Sequence, residues 1–258
     1  MTGRYVALGS SMAAGPGITP HVNGAPFLAF RSARNYPHLL AEFLGLDLVD
    51  VTYAGATTAD VLAEKQNGTP PQVTVLNGSE SLVTVTIGDN DVGYVPLLTA
   101  AYLPHPIRSM PIIGGRLRDL RDLYARNRAL AKVAEALIEV GHTLRQLAPD
   151  ARIIFVDYLT LLPPPGVDAP PLSGSDADLG RHVAETLERH TAEAAAATGC
   201  ESSERVRRAV VTTPGHQIHG QRKALCRCLV ARFHFTPTLP GCAPSPNSWW
   251  RRSASRRR

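Results

Sequence analysis

The chain reads as an α/β protein with one parallel sheet between two layers of helices, a three-layer α/β/α arrangement. Three observations predict it. Short runs of β-branched and aliphatic residues alternate with segments of helical periodicity in the order β, α, β, α, β, α, β, α. A length of 258 residues with 44% apolar content suits one sizeable core and is short for two. Glycine-containing turns follow the first three strands, at the sheet edge where α/β proteins bind ligands.

Residues 5–8 form the first strand and run into the small-residue turn Gly9-Ser10-Ser11-Met12. Residues 33–44 carry Leu39, Leu40, Phe43 and Leu44 at helical spacing, with Pro37 tolerated near the start. Residues 46–51 alternate apolar positions with Asp47 and Asp50 as a second strand, and a helix is expected over 57–65, just after Gly55. Residues 82–87 are the third strand, rich in valine and threonine. Residues 92–116 contain Pro96, Pro104, Pro106 and Pro111 and read as irregular, a cap over a site.

A long helical pattern covers 117–147, with an interruption expected at Gly141 and Pro149 closing it. Residues 152–158 are the fourth strand, 163–171 a proline-rich loop and 176–197 a helix. A last strand and helix should complete the final crossover after Cys200. Residues 206–213 are the candidate strand, but 214–258 show no periodicity.

Charge divides the chain at that point. Twelve of the 27 basic residues lie between Arg205 and Arg258, where there is no Asp or Glu, so the overall +5 hides a body of −7. The sequence therefore predicts a domain over 1–204 and a basic, irregular tail over 205–258. The Arg256-Arg257-Arg258 end has no aromatic platform beyond Trp249 and Trp250, so no nucleic-acid partner is expected. A basic-tailed interaction protein is kept as an alternative, one whose DNA binding would be salt-sensitive and lost with residues 205–258.

No stretch reaches the roughly 20 apolar residues of a membrane span, and the first residues lack a signal-type apolar region, so a cytoplasmic location is the expectation. Cys200, Cys226, Cys228 and Cys242 lack metal-site spacing and read as free thiols. Neither a metal nor a cofactor is expected: Asp89 and Asp91 have no His or Cys beside them, and Gly9, Gly15 and Gly17 do not match a dinucleotide-binding turn.

Acyl transfer needs a nucleophilic hydroxyl and fixed donors aimed at the oxyanion that develops on the attacked carbonyl. The three turns hold such groups: Ser11 in the first, Gly55 in the second, and Asn90 within Gly88-Asp89-Asn90-Asp91 in the third. These blocks, in this order, resemble the SGNH hydrolases, also called the GDSL esterase and lipase family. Gly9-Ser10-Ser11-Met12 overlays the GDSL motif with Ser10 where aspartate is usual, and residues 88–91 fit the looser GxND form of a block often written GGND. The resemblance covers roughly residues 4–200. It implies a flavodoxin-like parallel sheet and hydrolysis of a small-molecule or lipid carboxylic ester. It assigns Ser11 as nucleophile and the Ser11 N–H, the Gly55 N–H and the Asn90 amide as oxyanion donors.

The family's general base is a late histidine, usually followed by proline. This chain has no His-Pro after residue 105. Of the late histidines His216, His219 and His234, His234 is the candidate base; a pseudoenzyme lacking a base is the alternative. The tail also fits a shifted reading frame. Read one base out of step, the codons of residues 233–250 permit a His-Pro-Asn followed by an amphipathic helix, which predicts a frameshift between about residues 200 and 207.

Overall fold

The computed structural model describes residues 2–100, 111–158 and 161–203. Strands β1 (Arg4–Gly9), β2 (Asp47–Asp50), β3 (Glu80–Thr86), β4 (Arg152–Phe155) and β5 (Glu201–Ser202) form one sheet in the order β2-β1-β3-β4-β5. Every pair is parallel, with Tyr5 beside both Leu48 and Leu82, Val85 beside Phe155, and Phe155 beside Ser202. This is the flavodoxin-like order, and the chain changes direction of travel between β1 and β3. Ligand sites of such sheets lie at the carboxyl ends of the strands flanking that point. The turns bearing Ser11 and Asn90 follow those two strands.

The α-helices among the described residues are α1 (Ser11–Ala14), α2 (Tyr36–Leu44), α3 (Thr58–Leu62), α4 (Tyr94–Ala100), α5 (Pro111–Arg121), α6 (Leu123–Leu147) and α7 (Gly174–Ala197). Successive strand residues point to opposite faces. Tyr5, Ala7 and Ile154 therefore pack with Leu40 and Ala41 of α2 on one face. Val6, Leu8, Val85, Ile153 and Phe155 pack with Val133, Leu137 and Leu144 of α6 and with Val183 and Leu187 of α7 on the other. Burial on both faces is why β1 and β3 read as nearly continuous apolar runs. Each such leucine or valine contributes about 1.5–3 kcal/mol by leaving water.

Local chemistry sets the helix ends and explains where they depart from expectation. The 33–44 helix begins at Tyr36 because the Asn35 side chain caps it, accepting the His38 N–H at 3.1 Å. The helix after Gly55 opens with a reciprocal capping box between Thr57 and Asp60 and stops at Leu62, earlier than 65. The pattern over 117–147 divides at Asp122, whose carboxylate caps Ala125 N–H at 3.1 Å. Gly141 does not interrupt α6. It lies where a Cβ would come within 2.4 Å of Thr198 Oγ1, so the glycine serves close packing.

Residues 92–116, expected to be irregular, are helical in both described parts, α4 and α5. Pro96 falls in the first turn of α4, a position whose N–H has no helical acceptor to lose, and Pro111 is the first described residue of α5. The fifth strand begins at Glu201, ahead of the expected 206–213, which lies outside the described residues. Among the described residues no helix is long and apolar enough to cross a membrane.

Candidate active site

Gly9 ends β1 with φ +133°, and a Cβ there would stand 2.3 Å from the Thr86 carbonyl oxygen. Only glycine allows β1 and β3 to close up at this point. That proximity lets the Ser10 N–H donate to the Thr86 carbonyl at 2.8 Å. Ser10 then takes the N-cap position of α1, and its carbonyl accepts from Ala13 and Ala14 at 3.1 and 3.0 Å. Ser11 is the first residue of α1 and is half-buried, with no hydrogen-bond partner for its hydroxyl among the described residues. Its N–H, at the start of the helix, is likewise not committed to an acceptor there.

The second turn is closed by Ala56 N–H donating to the Tyr53 carbonyl at 3.1 Å. Gly55 sits exposed within it at φ +79°, a left-handed conformation, and its N–H has no acceptor among the described residues. Gln66 braces the turn by donating to the Ala54 carbonyl at 3.1 Å. In the third turn Gly88 has φ +113°, and a Cβ there would press to 3.1 Å from Leu187 Cδ1.

Hydrogen bonds join all three turns to one another. The Tyr53 N–H donates to the Gly9 carbonyl at 2.9 Å, linking the first and second. The Asn90 side-chain amide donates to the Ala56 carbonyl at 2.8 Å, and Asp91 accepts from the Thr58 hydroxyl at 2.6 Å, linking second and third. Ser10 Oγ donates to Asp89 Oδ1 at 3.0 Å, linking first and third. The turns bearing Ser11, Gly55 and Asn90 are thus brought together as a closed set.

Two further groups at the site leave no local signal in the sequence. Gln72 is buried, and its amide clamps one residue: Gly9 N–H donates to Oε1 at 2.7 Å and Nε2 donates to Gly9 O at 3.1 Å. Tyr158, from the segment after β4, donates to Asp89 Oδ1 at 2.6 Å and lies 2.6 Å from Ser10 Oγ. Burial raises the pKa of Asp89, opposed by hydrogen bonds from Tyr158 and Ser10. Burial, then the charge of Asp89, holds the Tyr158 phenol well above its ordinary value. Asp91 is raised too, again through burial, against its bonds from Thr58.

No histidine among the described residues bonds Ser11. His38 is held by Asn35 at 2.7 Å, His182 by Asn127 at 2.8 Å and His190 by Glu193 at 3.1 Å. His234, with His105, His216 and His219, lies outside the described residues, as does the basic segment 205–258. No cluster of three His, Cys, Asp or Glu side chains able to hold a metal occurs among the described residues.

A doubly covered parallel sheet whose first three turns are tied together by hydrogen bonds defines a class, that of the three-layer α/β/α hydrolases of the SGNH type. The chain belongs to the GDSL-like lipase/acylhydrolase family, whose model matches residues 7–238. That match continues past residue 204 and covers His234. Lipase 2 of Streptomyces coelicolor is 35% identical over 163 residues, 62% of this chain and 53% of that protein. A lipase of Streptomyces rimosus is 35% identical over 100 residues, 38% of this chain and 34% of that protein. The chain thus aligns with about half or less of these relatives' lengths. Among solved structures, the extracellular lipase of Streptomyces rimosus superposes with a TM-score of 0.63 at 26% identity, covering 78% of this chain and 79% of the lipase. Phospholipase A1 of Streptomyces albidoflavus does so at 0.59 and 25%, with the same coverages.

Proposed function

We propose that the chain hydrolyses carboxylic esters of small molecules or lipids through an acyl-serine intermediate. Ser11 Oγ attacks the ester carbonyl, and the carbonyl oxygen becomes the oxyanion. The Ser11 N–H, the Gly55 N–H and the Asn90 amide receive that charge. The closed set of hydrogen bonds among the three turns supports this reading most directly, because oxyanion donors act only when held in place before the charge develops. Family membership and the lipase relatives point the same way.

A base must take the Ser11 proton, pass it to the leaving alcohol and then activate water for deacylation. His234 is the candidate for that task. The absence of a His-Pro after residue 105 favours a second reading, a chain that retains the fold and the donors but turns over slowly for want of a base. One experiment separates the two. A short-chain chromogenic ester should be cleaved by the wild type and not by Ser11→Ala, with unchanged circular dichroism. A wild type that is folded and no faster than Ser11→Ala would favour the impaired reading.

A further inference from the structure

Three side-chain oxygens tie the turn of Ser11 to the turn of Asn90, and the proposed reaction consumes none of them. Ser10 Oγ is 3.0 Å from Asp89 Oδ1 and 2.6 Å from the Tyr158 hydroxyl, which itself donates to Asp89 Oδ1 at 2.6 Å. Ser10 and Asp89 are fully buried, so neither is placed to touch substrate. Asp89 Oδ2 is buried without a hydrogen-bond partner among the described residues. A carboxylate so enclosed is costly and persists only where its two hydroxyl donors are fixed.

The positions of these groups follow a pattern. Where the GDSL motif has an acid before its serine, this chain has Ser10; where the stricter GGND form of the third block has glycine before its asparagine, it has Asp89. Each pairing holds one carboxylate. Two would bring like charges into contact in a buried site, and none would leave the facing groups without an acceptor.

We propose that the carboxylate has been exchanged across the gap between the first and third turns, and that Asp89, with Ser10 and Tyr158, forms a clasp that positions the oxyanion donors. The geometry gives the clasp its leverage. Ser11 N is in the peptide unit that begins at Ser10, and Asn90 is bonded directly to Asp89, so fixing the Ser10–Asp89 spacing fixes the donors on either side of the oxyanion. These are positioning residues, acting through Ser11 and Asn90. The proposal rests on the ester-hydrolase reading for its catalytic part alone.

The test is an exchange of the two residues, using the full chain. Asp89→Gly leaves the Ser10 and Tyr158 hydroxyls only each other and so strands one of their two donors, and Ser10→Asp brings a second carboxylate against Asp89. Each single change should lower the melting midpoint by roughly 2–4 °C or more and lower kcat about 10²-fold with KM little changed. Ser10→Asp combined with Asp89→Gly should regain most of both. Tyr158→Phe should reduce kcat in the native background. A double variant no better than the sum of the singles in melting would overturn the clasp. Recovery of melting without recovery of kcat would overturn its positioning role. If the wild type shows no turnover and no Ser11 labelling by a fluorophosphonate, the ester-hydrolase reading has failed at Ser11, and the melting cycle alone decides whether the clasp exists.

Discussion

The Asn90 side-chain amide donates one of its two N–H groups to the Ala56 carbonyl at 2.8 Å, next to Gly55 in the chain. That bond orients the amide and leaves its second N–H for another acceptor. On the proposed mechanism the second acceptor is the oxyanion. Asn90→Ala should therefore lower kcat about 10²–10³-fold. The loss of the Ala56 bond costs only about 0.5–1.5 kcal/mol of stability. Steady-state kinetics beside a denaturant titration checks both; a variant that loses stability but keeps full turnover would exclude Asn90 from the oxyanion hole.

Glycines at positive φ are not equivalent in this site. A Cβ at Gly9 would lie 2.3 Å from the Thr86 carbonyl oxygen, and the backbone there cannot retreat without breaking the Ser10-to-Thr86 bond. A Cβ at Gly55 meets nothing closer than Gln66 Nε2 at 3.8 Å. Gly55→Ala should thus cost only the left-handed backbone penalty, about 1–2 kcal/mol. Gly9→Ala should cost more and reduce the yield of folded protein. Thermal melting of the two variants side by side decides it, and equal midpoints would contradict the steric account.

Gln72 is expected to matter for the Ser11 turn although it lies 63 residues from Gly9. In Gln72→Leu the buried Gly9 N–H loses its acceptor, while the Gly9 carbonyl keeps the Tyr53 donor at 2.9 Å. One stranded buried donor costs about 1–3 kcal/mol. The melting midpoint should fall accordingly, with Gln72→Glu recovering part of the loss only at acid pH, where a protonated carboxyl can accept from the Gly9 N–H and donate to the Gly9 carbonyl. No change in either variant would show that the clamp contributes nothing.

These contacts mark the limit of what the sequence discloses. The strands are visible because burial on both faces of the sheet writes runs of aliphatic and β-branched residues such as Val83 to Ile87, and the turns because Gly9, Gly55 and Gly88 are needed where backbones approach or φ is positive. Ser11, Gly55 and Asn90 could be placed on those turns from their spacing alone. Gln72 and Tyr158 could not, since their partners are 63 and 148 residues away and no local pattern encodes such a contact. The exchange of Ser10 and Asp89 was present in the letters, but it becomes meaningful only once the two side chains are seen to touch. Helices α4 and α5 were missed for another reason. Four prolines outweigh the helical signal in the sequence, although Pro96, in the first turn of α4, removes no helical hydrogen bond.

Acid titration gives a further expectation with a definite sign. Asp89 and Asp91 both have folded-state pKa values raised above the ordinary aspartate value of 3.8, chiefly by burial. The folded state therefore binds these protons more tightly than the unfolded chain does. Their contribution to stability is fully present below the ordinary value and is lost as pH rises through the raised one. Asp89→Asn should flatten that fall, since the amide mimics the neutral acid. Melting midpoints across the window from pH 3.8 upward would show it; an unchanged slope in the variant would mean that Asp89 titrates normally.

The edge of the sheet carries the last prediction. Among the described residues β5 pairs with β4 at Ile154↔Glu201 and Phe155↔Ser202, reinforced by a two-pronged Arg152–Glu201 bridge at 2.8 Å and by the Asp157–Ser203 contact. In a doubly wound sheet the final strand is followed by a helix whose buried apolar side chains are worth about 1.5–3 kcal/mol each, against a total of about 5–15 kcal/mol. Residues 205–258 contain no acid, and their codons, shifted by one base, permit a His-Pro-Asn and an amphipathic run. A frame-restored chain should thus melt higher than this one and, on the reading in which this chain wants a base, its kcat should rise about 10²–10⁴-fold, whereas an unchanged kcat would leave the task to His234. The coding DNA checks the premise directly: a shifted frame without that histidine would refute it, as would equal melting midpoints for the two chains.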